Sequence, residues 1–149
     1  MVRKIDFFHG AILFKLLRKQ TVQIKKLDNS SAYLFNDKVI YLKFSSQRIT
    51  PWSFTLTKEN IVEIEELNNK YGGLTLMLLC NDDGLAILRY DEYRTIISIN
   101  NHTFPKWIKA VRYKREKYTI AGSDGSLSYK IGENRIKDFS ENRGLISDN

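Results

Sequence analysis

A single cysteine, Cys80, stands among 149 residues, so neither an internal disulfide framework nor a cysteine-rich zinc site is available. That poverty suits a reducing compartment. The two histidines, His9 and His102, are far apart and form no His-x3-His or Cys/His pattern, which argues against zinc. No apolar run approaches the roughly 18 residues a membrane span requires, and residues 1–19 lack a small-residue cleavage site. The expectation is a soluble, cytoplasmic chain with no membrane partner. There are only two prolines, and no proline-rich linker, low-complexity tract or internal repeat, so residues 1–149 are expected to form one domain. Neither Gly72-Gly73 nor Asp83-Gly84 continues into the Lys-[Ser/Thr] of a phosphate loop, which leaves nucleotide hydrolysis without support.

What the chain does have is enough apolar material for a core, 42% of its residues, and a net charge of +7 with a pI near 9.5. The charge is unevenly spread. Residues 1–26 carry seven Lys/Arg against Asp6 alone, a net +6; residues 27–105 have a net −3; residues 106–149 have a net +4. Two basic ends flank an acidic middle, a distribution that suits a polyanionic partner or simply solvated surface.

Hydrophobic periodicity places a first helix over Ile5–Lys19, with apolar residues at 5, 8, 12, 13, 16 and 17. Gly10 inside it implies either a helix that starts later or a close packing contact. Three strand-like segments follow, Val22–Leu27, Ser31–Phe35 and Val39–Phe44, separated by Asp28-Asn29-Ser30 and Asn36-Asp37-Lys38; this predicts an antiparallel meander. Trp52, Phe54 and Leu56 alternate with polar residues in a half-buried extended segment. A second helix spans Lys58–Lys70, capped by Thr57 and stopped by Tyr71-Gly72-Gly73. Leu74–Cys80 is apolar enough to be a strand buried on both faces, and Leu85–Tyr90 is another strand. Asp91–Ile99 fits a short helix or a strand. Trp107–Ala121 and Leu127–Ile131 read as strands joined through Gly122–Ser126, and the stretch from Gly132 carries the weakest structural signal. The expected fold class is α/β (α+β), a central mixed sheet flanked by helices in the order α-β-β-β-α-β, with a core over residues 1–104 and a basic C-terminal β-hairpin and tail over 105–149.

This element order, over approximately Ile5 to Tyr90, resembles the core of the PD-(D/E)XK, or restriction-endonuclease-like, superfamily, which includes nucleases, junction resolvases and non-catalytic relatives. The resemblance implies a Mg²⁺ site built on an acid at the start of the second core strand and an acid-x-Lys on the third, with the lysine stabilising developing charge. Its counterparts here are Asp28, before Ser31–Phe35, and Lys43, on Val39–Phe44. The position two before Lys43 is Tyr41, which departs from the pattern. Glu63 of the second helix is then the acid that completes the site; without it the chain resembles an inactive relative.

The densest basic run is Lys106, Lys109, Arg112, Lys114, Arg115 and Lys117, with Glu116 as its only acid. On one continuous strand Trp107, Lys109, Val111, Tyr113, Arg115 and Lys117 share a face, which combines rings that stack on bases with cations that meet phosphates. The same composition suits an edge strand blunted by lysines or a protein interface. The expected function is therefore binding of DNA or RNA by a nuclease-like core, Mg²⁺-dependent if catalytic. The competing reading is a non-catalytic accessory factor of phage or mobile-element type whose basic surface meets an acidic protein.

Overall fold

The computed structural model describes residues 3–17, 23–28 and 31–140. Val22, Arg18 and Lys19, assigned above to the first strand and first helix, lie outside the described residues, as do Asn29 and Ser30 of the first turn. The elements are α1 (Lys4–Leu17), β1 (Ile24–Lys26), β2 (Ala32–Phe35), β3 (Lys38–Ser45), β4 (Trp52–Leu56), α2 (Lys58–Tyr71), β5 (Thr75–Cys80), β6 (Gly84–Arg89), α3 (Tyr90–Ile96), β7 (Lys106–Val111), β8 (Thr119–Gly122), β9 (Gly125–Ser126) and α4 (Arg135–Ser140). None of the described helices is long and apolar enough to cross a membrane.

Five strands make a mixed sheet in the order β1-β2-β3-β5-β6. The meander β1-β2-β3 is antiparallel, β3 and β5 run parallel, and β6 folds back antiparallel on β5. The parallel pair needs a crossover, and α2 supplies it. Thr57 and Asn60 form a reciprocal capping box at the start of α2, and Gly72 ends it in the left-handed region at φ 73°. Ile61, Ile64 and Leu67 are its buried stripe.

Period-two alternation divides the sheet's side chains between two apolar clusters. Tyr41, Leu76, Leu78, Ala86 and Leu88 face α2, α3 and the second sheet, whereas Ile40, Leu42, Met77, Leu79 and Ile87 face Ile12 and Leu16 of α1 and Ile136 of α4. Both faces of β5 are covered, which is why its sequence is apolar without alternation. Cys80 is part of this interior; burial pushes its thiol up to about 12, so it is a small core residue and not a nucleophile.

The extended segment at 52–56 does not extend the first sheet. It is the edge of a second, antiparallel sheet in the order β4-β7-β8-β9. Its inner face, Trp52, Phe54, Leu56, Ile108, Ala110 and Ile120, packs into the same cluster as Tyr41 and Leu78. The basic hairpin is thus paired with β4 and shares the core. Two further expectations change. The segment from 107 to 121 is broken by a turn at 112–117 instead of forming one strand, and the stretch after Gly132 contains α4. Residues 127–131 contribute only an isolated bridge between Tyr118 and Ile131.

Gly10 lies within α1, and a Cβ built there meets nothing within 4 Å. The helix neither starts after it nor uses it for close packing. Gly10→Ala is therefore expected to raise stability by about 0.5–1 kcal/mol, seen as a higher urea midpoint with an unchanged slope.

Candidate functional site

Tyr41 and Lys43 are two apart on β3 and turn to the same side, toward the N-terminal half of α2. The Tyr41 hydroxyl donates to Glu63 Oε1 at 2.6 Å and accepts from Asn60 Nδ2 at 3.1 Å. Lys43 Nζ donates to Asn60 Oδ1 at 3.3 Å, an oxygen that also accepts the Thr57 N–H at 3.0 Å. Asn60 is thus the hub that joins the helix cap to the strand. Its only sequence signal is its place three residues after Thr57, where a capping box reaches back. Burial and the Glu63 carboxylate raise the Tyr41 pKa, so the phenol stays protonated and acts as donor. Burial lowers the pKa of Lys43, and Glu63 opposes that shift.

Glu63, some twenty residues beyond Tyr41 and Lys43, is thereby brought into one polar chain with them. Asp28 is in an exposed bend after β1 and takes part in none of these hydrogen bonds. Glu63 already accepts from Tyr41 and lines a depression with Lys58, Glu59 and Val62, separate from the pocket that Lys43 lines. Among the described residues no group of three or more His, Cys, Asp or Glu side chains is placed to hold a metal ion. Mg²⁺ requires several hard oxygen ligands around one point, and Asp28 and Glu63, the two acids assigned to it, share no hydrogen-bond network among the described residues.

The pocket at Lys43 has a volume of about 360 Å³ and opens beside the end of β3, where that strand outruns β2. Lys43 and Ser45 of β3, Ser53 and Thr55 of β4, Ser31 and His9 are among its lining, which contains no carboxylate among the described residues. No family model, curated protein or solved structure matches this chain. Its chemistry is therefore read from its own side chains.

The six cations of the basic run part company. Lys106 is withdrawn from any surface: it is 1% exposed, and its ammonium is 2.8 Å from Asp124 Oδ2. Arg112 is committed to Asp83 at 2.7 Å and Glu133 at 2.8 Å, with its guanidinium over the Tyr118 ring. Expected as phosphate contacts, both are instead held by acids from other parts of the chain. Lys109, Lys114, Arg115 and Lys117 are exposed.

Trp107 and Lys109 point outward from β7, the ammonium 5.1 Å from the indole centroid. Cross-strand register puts Trp107 opposite Thr55 and Lys109 opposite Ser53, the two β4 residues that also line the Lys43 pocket. One surface thus runs from an exposed indole and cation to a polar pocket. Beyond β7 the shared face ends, because Lys114 and Arg115 occupy a tight turn at φ 40° and 67°, closed by the Glu116 N–H to Tyr113 carbonyl bond at 3.1 Å. Asn and Gly favour those two left-handed positions; a Lys-Arg pair there costs on the order of 1–3 kcal/mol per residue. The turn also shows Tyr113 to solvent.

Proposed function

We propose that this protein binds single-stranded DNA or RNA through the outer face of β4–β7 and the cationic turn after it, and that its nuclease-like core acts as a scaffold without a metal site, as in an inactive relative of the restriction-endonuclease-like superfamily. The observation that carries this reading is the exposed Trp107 with Lys109 over its ring, next to the strained turn that presents Lys114 and Arg115. A flat ring beside a cation accepts an unpaired base and its phosphate together, without sequence preference. Cations kept in left-handed backbone at a cost to stability fit a polyanion contact better than an idle hairpin tip. The α-β-β-β-α-β order supports the scaffold, and the commitment of Glu63 to the Tyr41 hydroxyl, with Asp28 outside that hydrogen-bonded chain, supports the non-catalytic form.

Fluorescence anisotropy with a labelled oligonucleotide tests this. Trp107→Ala is expected to cost about 1–3 kcal/mol, roughly 5- to 150-fold in Kd. The double substitution Lys114→Asn with Arg115→Gly should relieve the turn and raise the urea midpoint, yet flatten the dependence of log K on log salt by about 1.4 for single strands. Absence of binding at low salt, or an affinity indifferent to Trp107, would overturn the reading.

A further inference from the structure

We infer that the pocket between α1 and the ends of β3 and β4 is a phosphate site, filled by the terminal phosphate monoester of the strand held on the neighbouring face. The strand as the source rests on the proposed function, whereas the anion chemistry of the pocket does not. Its lining offers one ammonium, one imidazole, several hydroxyls and the Gln47 amide, with no carboxylate among the described lining residues; the nearby Asp6 and Glu63 act on His9 and Lys43 from outside it. In a middle segment with a net charge of −3, the described lining of this concavity carries Lys43 and no carboxylate, with Glu63 in a separate depression.

His9 provides the second argument. It is 7% exposed, and its Nδ1 lies 3.2 Å from the Tyr33 hydroxyl. The Tyr33 phenol both donates and accepts; where it donates to Nδ1, the ring proton sits on Nε2. That Nε2 has no hydrogen-bond partner among the described residues. A buried donor left without an acceptor is costly unless something else meets it, and a phosphate oxygen in the pocket that His9 lines supplies the missing acceptor. Lys43 has a similar reserve: among the described residues its ammonium donates one hydrogen bond, to Asn60, out of three it can make. Ser53 and Thr55 connect the site to the Trp107–Lys109 face through β4–β7 register, so a strand lying across that face has its end within reach of the pocket.

The test has two arms. Inorganic phosphate is titrated into the whole protein while the His9 ring resonances are followed by NMR. A saturable shift, abolished by Lys43→Met and by Ser53→Asp, is expected; Ser53 is exposed on β4, so the second variant brings a carboxylate to the rim without touching the core. No shift in the unmodified protein at tens of millimolar phosphate overturns the site. In the second arm, oligonucleotides that differ only in a terminal phosphate or hydroxyl are compared, and about a tenfold preference for the phosphate is expected, lost in Ser53→Asp. Equal affinities for the two ends overturn the strand end as the source, and the phosphate titration then decides whether a free phosphate ester is the ligand. If neither oligonucleotide binds, the nucleic-acid reading fails, while the phosphate titration still judges the pocket.

Discussion

Replacing Arg135 by alanine is expected to destabilise the fold by about 3 kcal/mol, the lower end of the roughly 3–5 kcal/mol for stripping one partner from a buried ion pair. Glu92 is 2% exposed, and both its oxygens are occupied. Arg135 grips it at 2.6 and 2.9 Å, the Tyr129 hydroxyl donates to Oε2, and the Arg89 N–H reaches Oε1 at 3.0 Å. Arg135 also donates to the Ile87 carbonyl at 3.0 Å, so one guanidinium fastens α4 to both β6 and α3. The loss falls at the lower end because the half-exposed Arg89 guanidinium remains 3.3 Å from Glu92. Urea unfolding checks it against Lys130→Ala, which removes an exposed 3.5 Å pair with Glu116 and should stay within about 0.5 kcal/mol.

The same cluster sets an acid limit. Burial alone would raise the Glu92 pKa, but Arg135, Tyr129 and the Arg89 N–H outweigh it and hold the carboxyl at about 2, against 4.5 ordinarily. A carboxyl depressed in the folded state stabilises it above its unfolded pKa, and that contribution is lost as pH falls toward the folded value. Stability should therefore decline between about pH 4.5 and 2, by on the order of 3 kcal/mol from this group. Glu92→Gln should flatten the decline in this window, as followed by the urea midpoint against pH.

Local signals and tertiary ones separate cleanly along this chain. Helix α2 is legible because its cap, apolar stripe and glycine stop all lie between Thr57 and Gly73, and β5 because burial on both faces leaves an unbroken apolar run. The pairing of β4 with β7 was not, since alternation reveals a strand but not its neighbour. The break at 112–117 was hidden because the turn is made of Lys-Arg, without the Asn or Gly that marks such positions. Helix α4 has little intrinsic signal; what anchors it is Arg135 meeting an acid 43 residues earlier. Of the candidate site, the resemblance brings Glu63 to the Lys43 strand as a metal ligand, whereas in the structure it meets that strand as acceptor of the Tyr41 hydroxyl. The role of Asn60, the isolation of Asp28 and the acid-free pocket are matters of geometry that composition does not encode.

Lys106 shows the same limit most sharply, and its partner shows the larger effect. Asp124→Ala should cost about 3–5 kcal/mol, because among the described residues it leaves an ammonium that is 1% exposed with only the Phe104 ring, 5.8 Å away, as compensation. It also strips the Ser98 N–H of an acceptor held at 2.8 Å. Lys106→Met keeps the aliphatic stem in the core and should cost less, about 1.5–3 kcal/mol for a lost charge-assisted hydrogen bond. Asp124 there retains Ser98, Asn101 and some access to water. The double variant Lys106→Met with Asp124→Asn should fall well short of the sum of the two single losses, since each single change leaves a charge that the other removes. Oligonucleotide affinity and its salt dependence should be unchanged in Lys106→Met, because a cation already neutralised inside the protein releases no counterions from a nucleic acid. A variant with native stability but weakened binding would instead return Lys106 to the surface run, and would require that the Asp124 pair open when the strand binds.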